Sequence, residues 1–149
     1  RCGPMMRVQV ATLIEAPRET VFAVYADYLD WPRVFPTIRG VRVVRRDGPR
    51  VVVQLDHLEG TVVNELVLHP PERIDLWEGK RHHDAVFVNR FEALPDGATR
   101  FSVTGEFRLK GWARLLRPVL PPYARRLMRR LQLEPVQRVA LRRVADSAP

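Results

Sequence analysis

Hydrophobic positions in the last third of the chain recur three and four residues apart: Tyr123, Ala124, Leu127, Met128 and Leu131, then Val139 and Ala140. That spacing gathers them on one side of a helix and gives it a core-facing stripe. Pro122 suits a first helical turn, where its missing N–H removes no bond, and Pro135 breaks the ladder further on. The pattern predicts a long, bent helix running to Val144. Its other side holds seven arginines: Arg125, Arg126, Arg129, Arg130, Arg138, Arg142 and Arg143. A helix of this kind is held by packing rather than by its own propensity, so the upstream segments must supply its partner surface.

Those segments read as strands with one helical interruption. Val8–Ile14 is rich in β-branched residues and partly alternating, which predicts a first strand. After Ala16-Pro17, the residues Val21, Phe22, Val24, Tyr25 and Tyr28 take helical spacing over Arg18–Tyr28. Pro32 and Pro36 confine Leu29–Pro36 to a short second helix, with Asp30 expected as its N-cap. Strands are then predicted at Val41–Arg45, Arg50–Asp56, Gly60–His69, Arg73–Glu78, Ala85–Glu92 and Thr99–Arg108. Asp47-Gly48-Pro49 and Pro95-Asp96-Gly97 are hairpin signals between them.

Alternation assigns the faces. Phe87, Asn89 and Phe91 share one side, as do Phe101, Val103, Gly105 and Phe107, and Val62, Asn64, Leu66 and Leu68, while Glu65 points outward. Seven consecutive strands with one apolar face, two short helices after strand 1 and one long amphipathic helix predict an α+β architecture. In it an antiparallel sheet curls around the C-terminal helix. Residues 7–145 form a single domain in this reading, between tails at 1–6 and 146–149.

Composition refines the picture modestly. The chain has 149 residues, 46% of them hydrophobic, which is enough for a substantial core. No apolar run reaches the length of a membrane span, and nothing at the N-terminus reads as a signal peptide, so the cytoplasm is the expected location. The lone Cys2 excludes an internal disulfide framework. The net charge of +8 is unevenly placed: Arg108 to the end holds 11 basic and two acidic residues. Arg125, Arg126, Arg129 and Arg130 are therefore a candidate docking surface for anionic membrane or nucleic acid, or simply a solvated helix face.

The run Glu15-Ala16-Pro17, a helix, Asp27, Trp31-Pro32, Phe35-Pro36 and then a V-x-V-V strand resembles the Bet v 1-like, START-related (SRPBCC) superfamily. It is most similar there to the polyketide cyclase/dehydrase and coenzyme-Q-binding groups, and Leu94–Arg100 fits the same pattern. The resemblance implies a helix-grip fold with a hydrophobic cavity between sheet and C-terminal helix. Candidate ligand-binding residues are Tyr25, Tyr28, Trp31, Phe35, Asn64, Leu66, Phe87, Asn89, Phe91, Phe101, Phe107 and Met128. Aromatase/cyclases of the group carry an inward Arg and a Tyr; local alignment puts Leu66 and Ile38 there. Both are unable to polarise a carbonyl or donate a proton, so no catalytic residue is assigned.

Other chemistry finds no support in the spacing. His57, His69, His82 and His83 are scattered, adjacent residues on a strand face opposite ways, and no metal, P-loop, dinucleotide or nucleophile-elbow pattern occurs. No metal or cofactor is expected. The leading expectation is a carrier or chaperone for a hydrophobic small molecule such as a lipid, quinone or polyketide-like compound. A cyclase-type enzyme using the same pocket and a protein docking on membrane or RNA/ribosome through its basic helix are the alternatives.

Overall fold

The computed structural model describes residues 5–149; Cys2 and the Arg1–Pro4 part of the expected tail lie outside the described residues. Seven antiparallel strands form one sheet in the order β1-β7-β6-β5-β4-β3-β2. They are β1 (Met6–Ile14), β2 (Ile38–Asp47), β3 (Arg50–His57), β4 (Gly60–His69), β5 (Arg73–Gly79), β6 (His83–Ala93) and β7 (Thr99–Leu109). Between β1 and β2 lie α1 (Arg18–Ala26), a 3-10 turn at Tyr28–Asp30 and α2 (Trp31–Val34). After β7 come a 3-10 segment (Gly111–Leu116), α3 (Leu120–Met128), a π-helical turn (Arg129–Leu133) and α4 (Glu134–Ser147). This is the α+β helix-grip arrangement.

The turns follow from local chemistry. Gly48 and Gly97 take φ of 57° and 87°, the left-handed region open to glycine, at the two hairpins with Asp-Gly pairs. At the second, Asp96 Oδ1 accepts from the Ala98 amide at 3.0 Å while the Leu94 amide donates to Ala98 O at 2.9 Å. Far from this turn in sequence, Thr99 Oγ1 donates to Ala16 O at 2.7 Å, tying the β1–α1 corner to β7.

Two helical details differ from the sequence reading. The helical run is not α-helical throughout: just before Pro135 the chain passes through a π turn, the Glu134 amide donating to Arg129 O, and Pro135 falls in the first turn of α4. The missing N–H of Pro135 falls where the ladder has already changed from the α to the π spacing. Its ring is buried with Leu133 and Val136, which the spacing did not single out. Asp30 does stand before α2, but its carboxylate makes no capping bond. It instead faces Arg33 at 3.6 Å and Arg143 at 3.9 Å.

Inner faces alternate as expected. Val51, Val53 and Leu55 on β3, Asn64 and Leu66 on β4, Ile74 and Leu76 on β5 and Phe87, Asn89 and Phe91 on β6 are buried. Six strand spacings of about 4.8 Å make a flat seven-stranded sheet about 29 Å wide. Yet Met6 of one edge strand and Ile38 of the other line the same cavity, so the sheet is strongly curled. The C-terminal helices lean on the β1–β7 side, with α3 packed on β1 and the π turn on β1 and β7. That placement leaves β3, β4 and β5 facing the helix across a gap.

Candidate ligand-binding site

The gap is a cavity of about 360 Å³. Its closed end is built by the segment between β1 and β2. Trp31 Nε1 donates to Tyr25 O at 2.8 Å, which turns α2 back onto α1. The rings of Tyr25, Trp31 and Phe35 then meet edge to face, with centroids 5.7–5.8 Å apart. Such aromatic pairs contribute about 0.5–1.5 kcal/mol each beyond the area they bury. The walls are Leu55, Leu76, Phe87 and Phe107 from the sheet and Ala124, Leu127, Met128 and Leu131 from the helix. Trp112, Leu116, Leu120 and Tyr123 line the opposite end, where Trp112 and Tyr123 are exposed to solvent.

Gly105 helps to shape the wall. A methyl group there would stand 2.8 Å from one Phe107 ring carbon and 3.2 Å from a Phe87 ring carbon. Only a residue without Cβ lets these two rings pack edge to face over the centre of β7, 5.5 Å apart at 84°.

Of the twelve residues expected from the sequence, Tyr25, Trp31, Phe35, Asn64, Phe87, Phe107 and Met128 line the cavity. Tyr28, Leu66, Asn89, Phe91 and Phe101 do not; they are buried in packed core. For Asn89, Phe91 and Phe101 the reason is α1, which packs on β6 and β7 and fills the space there. Phe91 stacks on Phe101 at 5.0 Å and meets Phe22 edge-on at 5.3 Å. Asn89 turns its amide to the main chain, donating to Ile74 O at 3.1 Å.

The structure adds a polar cluster to this apolar space. Glu78 continues the inward alternation of Ile74 and Leu76 on β5, and its side chain is only 12% exposed. His83 Nε2 stands 3.9 Å and Lys80 Nζ 3.8 Å from its carboxylate, and Lys80 reaches Glu59 at 3.6 Å. All of these but Glu59 line the cavity, together with His57 at the end of β3. Burial alone would raise the Glu78 pKa; the His83 imidazole beside it and the nearby positive charge of Lys80 outweigh burial and hold the carboxyl below its ordinary value. His57 is pushed down, by burial first and by Lys80 second. The Tyr25 phenol is pushed well above its ordinary range, by burial and then by the Glu78 charge, so it stays protonated.

Directly across the β4–β5 ladder from Glu78 is Asn64, 3% exposed, whose Oδ1 has no hydrogen-bond partner. The Leu66 and Ile38 positions carry no polar group, as read from the sequence. Among the described residues no cluster of three or more metal-ligating side chains occurs, and no helix is long and apolar enough to cross a membrane.

The four arginines singled out for docking, Arg125, Arg126, Arg129 and Arg130, are exposed along α3 and the π turn. Arg129 also donates to Ala11 O at 3.3 Å, which ties the helix to β1.

A family model described as "Polyketide cyclase / dehydrase and lipid transport" matches residues 5–140. Among solved structures, the chain is similar to the Zhui aromatase/cyclase from Streptomyces sp. R1128, with TM-score 0.74, 22% identity and coverage of 95% and 96% of the two chains. It is similar to Ara h 8.0201, with TM-score 0.71, 18% identity and coverage of 93% and 99%. A START superfamily protein from Mycobacterium smegmatis aligns with TM-score 0.65, 18% identity and coverage of 95% and 99%. No curated protein matches the sequence.

Proposed function

The chain belongs to the family of polyketide cyclase/dehydrase and lipid transport proteins, and from that membership we propose that it is a carrier or chaperone that holds a hydrophobic small molecule in the cavity between sheet and C-terminal helix. The observation that carries this reading is the cavity itself: about 360 Å³, walled by aromatic and aliphatic side chains, in the volume range of small-molecule sites. A well-packed interior leaves few voids larger than a water molecule, so an apolar gap of this size is better explained by an occupant than by packing. Lipid-, quinone- and polyketide-like compounds all have the required apolar body. Catalysis by the route of the aromatase/cyclases draws no support from Leu66 and Ile38, which lack the cationic and phenolic groups that would polarise a carbonyl.

Native mass spectrometry of freshly purified protein is the direct test. A bound species that leaves on mild denaturation and has an apolar skeleton is the expected result. Protein that is ligand-free, and stays so after incubation with lipid extract, quinones and aromatic polyketides, would overturn the reading.

A second reading concerns where the ligand is exchanged. Trp112 and Tyr123 line the open end of the cavity and are exposed, and Leu115 (83%) and Val119 are exposed in the segment between them. Six arginines and no acidic residue lie between Gly111 and Leu133. Exposed aromatic and aliphatic groups beside arginines suit the interface of an anionic membrane. Near such a surface each arginine contributes about 1 kcal/mol, so four acting together give reversible association rather than anchoring. Co-sedimentation with anionic and neutral vesicles tests this, using wild type and a variant with Arg125, Arg126, Arg129 and Arg130 changed to Gln. Binding to anionic vesicles that weakens in the variant and in high salt is expected; equal binding to both vesicle types by both proteins would refute it.

A further inference from the structure

The polar cluster narrows the chemical class of ligand, an inference that rests on the cavity reading above. Glu78 is a carboxylate on the inner face of β5, with Ile74 and Leu76 preceding it on that face. A carboxylate so placed is costly unless its oxygens are answered. The partners present answer it incompletely: Lys80 and His83 stand at 3.8 and 3.9 Å, beyond hydrogen-bond distance, and Lys80 divides itself between Glu78 and Glu59. Beside it, Asn64 leaves an amide oxygen unpaired in a position 3% exposed. Buried polar atoms are normally satisfied, and an orphan within a binding cavity marks a place where a ligand supplies the missing half. An amide can be turned to offer its oxygen or its NH2, but an ionised carboxylate only accepts, and this fixes the polarity of the pair.

We propose that Glu78 and Asn64 form the polar subsite of the cavity and receive a hydroxyl or phenolic hydrogen of an otherwise apolar ligand. Free carboxylic acids are disfavoured there. The ligand's O–H donates to the Glu78 carboxylate, and its oxygen stays within reach of the Asn64 amide. The aromatic end at Tyr25, Trp31 and Phe35 takes the apolar body.

The neighbouring basic side chains do not reverse this preference. Lys80 already lies between two carboxylates, and His83 stands beside one of them. His57, the basic group that β3 contributes to the wall, is biased by burial toward its neutral form, and His82, which also lines the cavity, lies with its ring against Trp112. A ligand carboxylate would thus meet Glu78 and Glu59 without a free counter-charge of its own among these groups, and like charges brought together in a low-dielectric space repel strongly.

The test uses three ligands of one skeleton: naphthalene, 2-naphthol and 2-naphthoate, each displacing the neutral fluorescent probe N-phenyl-1-naphthylamine at pH 7.5. The expected result is that 2-naphthol displaces the probe at about a tenfold lower concentration than naphthalene, the ratio for a hydrogen bond to a charged acceptor. 2-Naphthoate is expected to be the weakest of the three. In Glu78→Gln, which keeps shape and removes charge, the naphthol-to-naphthalene ratio should fall to about threefold or less and naphthoate should gain relative to naphthalene. Asn64→Leu should reduce the same ratio while leaving naphthoate weak. Naphthoate binding as tightly as naphthol to the wild type would overturn the proposal with no variant needed. Ratios unchanged in Glu78→Gln would do the same. Probe binding with all three naphthalenes equal would remove this inference and leave the cavity reading standing. No saturable binding of the probe itself would remove both.

Discussion

Replacing Gly105 with alanine tests whether the cavity wall is set by ring packing over a bare backbone. The new methyl would stand 2.8 Å from one Phe107 ring carbon, 3.1 Å from a second and 3.2 Å from a Phe87 ring carbon. Carbon atoms rest at about 3.5–4.0 Å, so Phe107 must withdraw by roughly 0.7–1.2 Å. A planar ring cannot give way at one atom, and the open direction is the cavity that both rings line. Overpacking of this kind costs about 1–3 kcal/mol, while the stiffer unfolded chain returns about 0.4–1 kcal/mol. The net loss should be about 0.5–2 kcal/mol, or a fall in Tm of roughly 2–8 °C for a chain of this length. Gly40→Ala is the matched control: its methyl would meet only Asp56 Cβ at 3.7 Å, an ordinary contact. Urea and thermal unfolding of both variants, read by circular dichroism, give the comparison. Gly105→Ala as stable as Gly40→Ala would refute the argument that the glycine is required by the Phe87–Phe107 pair.

Two further perturbations follow from single contacts. Thr99→Val keeps the shape of a fully buried side chain but removes the donor to Ala16 O, leaving that carbonyl unanswered by Thr99; a loss of about 1–2 kcal/mol is expected by urea denaturation, and no change would show the corner is held otherwise. Acid stability should bear the mark of the polar cluster. His57 is held below its ordinary 6.5 and Glu78 below its ordinary 4.5, so in each case the folded chain binds fewer protons than the unfolded one as pH falls. The contribution of each is complete above its ordinary value and is lost as pH drops through the folded value. Urea midpoints measured from pH 7.5 to 3.5 should fall less steeply below 6.5 in His57→Gln and below 4.5 in Glu78→Gln. Identical pH profiles for the wild type and both variants would contradict this assignment.

The fold was legible because its signals are periodic and local. Inward alternation on β4, β6 and β7, two hairpin signals with Asp-Gly pairs and the helical spacing of Val21, Phe22, Val24 and Tyr25 each specify their element independently. Boundaries were less so. β2 runs from Ile38 to Asp47, well beyond Val41–Arg45, since register shifts between Ile38 and Gly40 and between Val43 and Arg45 disturb the alternation of an edge strand. The π turn left no mark because its stretch keeps apolar residues at helical spacing. In the site, aromatic residues on one face announced an apolar interior but not which of them pack solidly. That division depends on where α1 sits, a tertiary fact that no strand pattern contains. Glu78 carried a readable signal, the alternation Ile74, Leu76, Glu78, which places a carboxylate on the inner face. Its meeting with His57, His83 and Asn64 needed the register between strands.

The central claim is that the gap between sheet and C-terminal helix is a binding site for an apolar molecule. Titration with N-phenyl-1-naphthylamine, comparing the wild type with Ala124→Trp and Arg138→Trp, measures it directly. Ala124 faces the cavity from α3, so an indole there occupies the space, whereas Arg138 is exposed on α4. The account predicts saturable 1:1 binding in the wild type and in Arg138→Trp, and loss of at least tenfold in affinity in Ala124→Trp with an unchanged far-ultraviolet spectrum. Equal binding by all three proteins would place the probe elsewhere and contradict the account.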